Sequence, residues 1–116
     1  MKFNNESPIY LQLSHVLALD IVNGKYKIGD RLPSVRELSV IFKVNPNTVQ
    51  KALGELENLN LIYTERTNGK FVTKDKKVID DFLEGLAKEK TKLYVSDMKS
   101  LGFNKKEIVK MIERDE

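Results

Sequence analysis

The sequence predicts a mainly α fold with one small β-hairpin: three helices, the hairpin, then a two-helix C-terminal tail. Three observations predict it. Apolar residues recur at helical spacing along several segments of the 116-residue chain. Two helix starts are written in cap chemistry, Ser34 with Glu37 and Asn45 with Pro46. One stretch of β-branched and aromatic residues folds back near Asn68-Gly69.

Each element follows from local chemistry. Ser7 is the expected cap of the first helix, with Pro8 at its first helical position. Ile9, Leu13, Val16, Leu17 and Ile21 follow at helical spacing to about Val22, where Asn23-Gly24 stops the helix. Residues 25–30 read as a connecting turn containing Gly29. In RLPSVREL, Ser34 and Glu37 form a capping box and Pro33 lies just outside it. This second helix is short, ends near Lys43, and turns Val35, Leu38 and Ile41 or Phe42 inward. Asn45 caps the third helix. Pro46 falls at its first position, where the N–H that proline lacks would have had no partner. The proline therefore starts a helix and breaks none. Val49, Ala52, Leu53, Leu56 and Leu59 form the buried stripe, which leaves Asn47, Thr48, Gln50, Lys51 and Glu55 outside it. Asn60 suits the left-handed backbone that ends a helix. Residues 61–65 and 70–73 make the hairpin. From Asp75 onward, Ile79, Phe82, Leu83, Leu86 and Ala87, then Tyr94, Met98 and Leu101, trace a long amphipathic helix ended by Gly102. Asn104 and Glu107 cap a last short helix holding Ile108, Val109, Met111 and Ile112.

Composition narrows the function classes. Twenty Lys and Arg against 17 Asp and Glu leave a net charge of +3, which permits a nucleic-acid partner without demanding one. The absence of cysteine removes disulfides and thiolate metal sites, and suits a reducing cytoplasm. No apolar run approaches a membrane span. The only histidine, His15, sits mid-helix among apolar neighbours and makes no metal cluster. Asp80, Asp81 and Glu84 fall on a solvated helix face, and no glycine-rich phosphate loop is present. The expectation is a non-enzyme with no metal and no cofactor.

Order carries the positive argument. Two short helices joined by a tight turn, the second opening on small polar side chains, make a helix-turn-helix. Such a second helix enters the major groove by its N-terminal end, where free N–H groups and the positive dipole pole face phosphate. Asn47, Thr48 and Gln50 are short enough to reach base edges, and Lys51 to meet a phosphate. A hairpin straight after it is a wing, with Arg66, Asn68 and Lys70 at or near its tip. Taken singly, each feature has a plainer reading: a well-capped helix, a solvated arginine, a common turn.

The blocks PIYLQL, GDRLPSVREL, VNPNTVQKALGELENLNLI and NGKFV together resemble the winged-helix domain of the GntR family of bacterial transcription regulators, over roughly residues 7–74. That resemblance implies a winged helix-turn-helix domain over residues 1–74 and DNA contacts at Arg36, Asn47, Thr48, Gln50 and Gly69. By position, Ser34, Asn45, Lys51, Arg66 and Lys70 join the candidate DNA-binding set. Many members carry arginine where Pro46 stands, which implies a tip that reads DNA mostly through short polar side chains.

Residues 75–116 are too few to enclose a metabolite as an independent domain. A short two-helix tail resembles the YtrA-type subfamily, whose tails mediate dimerisation. Independently, an amphipathic helix needs a surface to cover its apolar stripe. Ile79, Phe82, Leu83, Leu86, Tyr94 and Met98 are the expected dimer-interface residues, with packing on the chain's own winged helix as the alternative. The expected function is a homodimeric transcriptional repressor on a palindromic operator, in a bacterial cytoplasm. Expected partners are a double-stranded DNA operator, a second copy of the chain and, optionally, an unidentified small-molecule effector, with no membrane. The competing reading is a winged helix used only for protein–protein contact. Its binding would lack the steep salt dependence that phosphate contacts impose.

Overall fold

A computed structural model describes residues 2–115. The elements run α1 (Ile9–Val22), α2 (Val35–Phe42), α3 (Pro46–Asn58), β1 (Ile62–Glu65), β2 (Gly69–Val72), α4 (Lys76–Ser100) and α5 (Lys105–Arg114). The chain divides into two compact units, one up to Asp80 and one from Asp81, so the division falls inside α4.

In the first unit, α3 is the central element. It packs against α1, α2 and β1. Leu13, Leu17, Leu38, Leu53, Leu56 and Leu61 are almost fully buried there. Each such side chain contributes roughly 1.5–3 kcal/mol on leaving water. The hairpin is antiparallel, with Ile62 opposite Val72 and Glu65 opposite Gly69. Its inner end is therefore apolar and buried, and its outer end carries the three-residue loop Arg66-Thr67-Asn68.

Several local expectations need correction. Pro8, not Ser7, is the N-cap of α1, because its carbonyl accepts the first helical N–H groups, from Leu11 and Gln12. No side chain caps this end; the Gln12 amide instead clasps the preceding segment, donating to the Ser7 and Asn4 carbonyls. In α2, Phe42 is half-buried while Ile41 is 60 % exposed. In α3 the buried stripe stops at Leu56. Leu59 lies past the helix end as its C-cap and is 46 % exposed, and the turn through Asn60 (φ 61°) brings Leu61 inward in its place.

The larger surprise is residues 29–32. The end of the expected turn, 29–30, and the two residues after it pair along the free edge of β2. Gly29 N–H donates to the Val72 carbonyl, Val72 N–H to Asp30, and Leu32 N–H to Lys70, with Arg31 opposite Phe71. The wing thus has a third rung, and one edge that would otherwise be open is satisfied.

The second unit holds the rest of α4 and α5. The i, i+4 pair Lys76–Asp80 lies in the first turn of α4, before the division, and Glu84–Lys88 braces the helix after it. Asn104 and Glu107 make both bonds of the capping box at α5. Ile108 is buried, whereas Leu83, Leu93, Tyr94, Leu101 and Ile112 are exposed. Among the described residues, no helix is long and apolar enough to cross a membrane.

Candidate nucleic-acid interface

The tip of α3 is built by its caps. Asn45 Oδ1 accepts the Asn47 N–H at 2.7 Å, and Pro46 occupies the first helical position. Immediately before it, Lys43 takes a left-handed conformation (φ 55°), and Ser39 Oγ donates to the Val44 carbonyl at 2.7 Å. These contacts close the turn between α2 and α3 and fix where α3 begins. With Val49, Ala52 and Leu53 buried, Asn47, Gln50 and Lys51 are left exposed and Thr48 half-buried. The Lys51 ammonium lies 5.8 Å from the Tyr10 ring centre, a cation–π contact that steers a still-exposed charge.

Ser34 is committed to structure. Its hydroxyl accepts the Glu37 N–H at 3.1 Å, and Glu37 Oε1 accepts the Ser34 N–H at 3.0 Å. The Ser34 backbone N–H, followed by its hydroxyl, holds the Glu37 carboxyl below its ordinary range. Arg36, two residues past this cap, is exposed.

A cleft between the start of α2, α3 and the wing gathers Ser34, Gln50, Arg66, Gly69 and Lys70. Arg36, Asn45, Asn47, Thr48 and Lys51 do not line it. Arg31 lines it too, a residue of the RLPSVREL block to which the sequence reading assigns no role. The signal that could have found it is the wing glycine. Gly69 has φ 102°, and a Cβ there would lie 3.2 Å from Arg31 Nε, so the missing side chain makes room for the guanidinium.

Lys70 lines the cleft, but its ammonium is already engaged. Residues alternate across a strand, so Lys70 points to the face opposite Gly69 and Phe71. There its ammonium pairs with Glu57 of α3 and donates to Thr64 Oγ1 at 2.8 Å, and the Thr64 hydroxyl donates to Glu57 Oε1 at 2.6 Å. Lys70, then Thr64, hold the Glu57 carboxyl below its ordinary range. This triangle ties the wing to the far end of α3. On the other face, the Tyr63 and Phe71 rings stack at 5.8 Å.

Of the expected interface residues, Tyr94 and Leu83 are 42 % and 45 % exposed, while Phe82, Leu86 and Met98 are half-buried. Ile79 is the correction. It is only 8 % exposed and sits beside Ile21, Val22 and Ile28 within the first unit, so it belongs to the core of its own chain. Among the described residues, no group of acidic or histidine side chains is placed to hold a metal ion.

Comparison with known proteins matches the same fold. The model of bacterial regulatory proteins of the gntR family matches residues 9–72. The HTH-type transcriptional repressor YtrA of Bacillus subtilis is 38 % identical, over 80 % of this chain and 72 % of its own. A GntR family transcriptional regulator from Listeria monocytogenes superposes with a TM-score of 0.92 at 42 % identity, covering 98 % of this chain and all of that one. The DNA-binding domain of AraR, solved in complex with operator ORX1, superposes with a TM-score of 0.58 at 28 % identity, covering 63 % of this chain and 93 % of that one.

Proposed function

The chain belongs to the GntR family of DNA-binding transcriptional regulators and is not an enzyme, and from that premise we propose that it acts as a homodimeric repressor on a palindromic operator. The observation that carries the DNA-reading half is the tip of α3. Its start is fixed by Asn45 and Pro46, and its exposed side chains are Asn47, Gln50 and Lys51. Asn or Gln can bond adenine bidentately in the major groove, and the helix N-terminus favours a nearby phosphate. Thr48 flanks the same edge. Arg36 and Lys51 supply backbone contacts that set register and carry no sequence information. Arg66 and Gly69 bring the wing to the adjacent backbone or minor groove, and Ser34 and Asn45 hold the two helix starts in position.

The dimer half rests on the second unit. Leu83, Leu93, Tyr94 and Leu101 leave a run of exposed apolar side chains along α4 and just past its end. A second copy of the chain supplies a matching surface, with Leu83 and Tyr94 as anchors and Phe82, Leu86 and Met98 beside them. Two-fold symmetry then offers two α3 tips to one face of DNA, about one helical turn (~34 Å) apart. Repression follows by occupying a site that polymerase needs, and YtrA, the similar Bacillus subtilis protein, is a repressor. Sedimentation of the wild-type chain and of Leu83→Asp tests the dimer. Leu83 is chosen because its exposure spares the monomer's own packing. A dimeric wild type and a folded, monomeric variant that binds DNA weakly are expected. A variant that sediments as an intact dimer overturns the assignment.

A further inference from the structure

We propose that Arg31, and not Lys70, is the wing-base cation that grips a DNA backbone phosphate, and that Lys70 serves as a brace between the wing and α3. The proposal rests on the DNA-binding reading above. Its first support is charge. Lys70 is already paired with Glu57 and shares Thr64, so the pair brings almost no net charge to DNA. Arg31 is exposed, and among the described residues it forms no ion pair. Glu37 feels its charge only weakly, and the carboxylate of Glu37 is occupied by the Ser34 cap.

The second support is placement. Backbone pairing of residues 29–32 with β2 sets Arg31 opposite Phe71 and diagonal to Gly69, within reach for a long side chain. The guanidinium lies against the bare Gly69 backbone, with Nε and Nη2 3.2 and 3.5 Å from where a Cβ would stand. That position lines the same cleft as Gln50 and Arg66. Gln50 therefore shares one opening with three cations, Arg31, Arg66 and Lys70, of which Lys70 alone is ion-paired among the described residues. The third support is chemical. A guanidinium offers a planar fork of donors that matches phosphate oxygens in pairs, on a backbone held rigid by three hydrogen bonds. The glycine expected to touch DNA thus has a second role, as the floor on which Arg31 lies.

The test uses the full chain and mixed-sequence double-stranded DNA, which isolates the phosphate contribution from base reading. Affinities of wild type, Arg31→Gln, Arg31→Lys and Lys70→Met are measured over a range of salt concentrations. Each lost phosphate contact lowers the log–log slope by about 0.9, or roughly 3.5-fold in relative affinity over a fourfold change in salt. Arg31→Gln should lose that much slope, Arg31→Lys should keep it, and Lys70→Met should keep it too. A merely structural role for Arg31 reduces active protein at every salt concentration and leaves the slope alone. Modification of the wild-type guanidinium by phenylglyoxal gives a second measurement that needs no variant, with protection by DNA expected at Arg31. An unchanged slope in Arg31→Gln, or undiminished modification of Arg31 in the complex, overturns the proposal while the DNA-binding reading stands. Wild-type binding with no salt dependence overturns both.

Discussion

Replacing Gly69 with alanine puts the wing's construction to the test. At φ 102° an L side chain is strained, and the new Cβ would come within 3.2 Å of Arg31 Nε. A left-handed residue with a Cβ costs about 1–2 kcal/mol, and the smaller entropy of the unfolded chain returns only part of it. The arginine can yield by a few tenths of an ångström, so the steric contribution adds little to stability but moves the guanidinium. The net expectation is a loss of roughly 1 kcal/mol or slightly more. In a unit of this size each kcal/mol shifts the melting midpoint by ~4–8 °C. Gly54 provides the control. It lies inside α3, and a Cβ there meets nothing within 4 Å. The same substitution at Gly54 should gain about 0.5–1 kcal/mol from helix propensity. Melts followed by far-ultraviolet circular dichroism should therefore place the two variants on opposite sides of wild type, on the order of 10 °C apart. Gly69→Ala should also weaken binding to duplex DNA at temperatures where it is fully folded. A Gly69→Ala midpoint at or above wild type would refute this reasoning.

Other consequences can be measured alongside. Asn45→Ala removes the acceptor of the Asn47 N–H and should cost about 1 kcal/mol in a melt, with weaker DNA binding as the α3 tip frays. An unchanged midpoint would mean the cap bond contributes nothing. Gln50→Ala should lose about 1–3 kcal/mol of discrimination between operator and mixed-sequence DNA; equal losses on both would remove Gln50 from base reading. Because Glu57 has its carboxyl lowered by Lys70 and Thr64, its contribution is complete above the ordinary carboxylate range and disappears as pH falls through the lowered value. Glu57→Gln should then cost roughly 0.5–1 kcal/mol at neutral pH, discounted for a partly exposed pair, and flatten the acid limb of stability against pH. Parallel acid limbs in variant and wild type would contradict this.

The legible parts of this molecule are those where one residue type answers one local need. Ser34 with Glu37, Asn45 with Pro46, Asn104 with Glu107 and the left-handed Asn60 all stand where cap chemistry puts them. The apolar stripe of α3 could be read as far as Leu56 for the same reason. What escaped depends on partners distant in sequence. The rung at residues 29–32 has no strand periodicity, being a short stretch held by the edge of β2 about forty residues later. Nothing local to RLPSVREL therefore gives Arg31 a role. The charge of Lys70 is visible in the sequence, whereas the Glu57 that pairs with it stands on another element, with β1 and the wing loop between them. Lys43 is left-handed without being glycine or asparagine, so nothing in its type announced the turn. Ile79 fell in the tail's apolar pattern, yet it packs beside α1 because the first turn of α4 belongs to the first unit.

The most direct measurement of the central claim is a footprint on DNA fragments that the wild-type chain selects from its source genome. A homodimer that reads DNA through α3 predicts two protected half-sites related by two-fold symmetry. Their centres should lie about 10 base pairs, or a multiple of one turn, apart on one face of the duplex. Protection of a single asymmetric stretch, or recovery of fragments with no shared sequence, would contradict it.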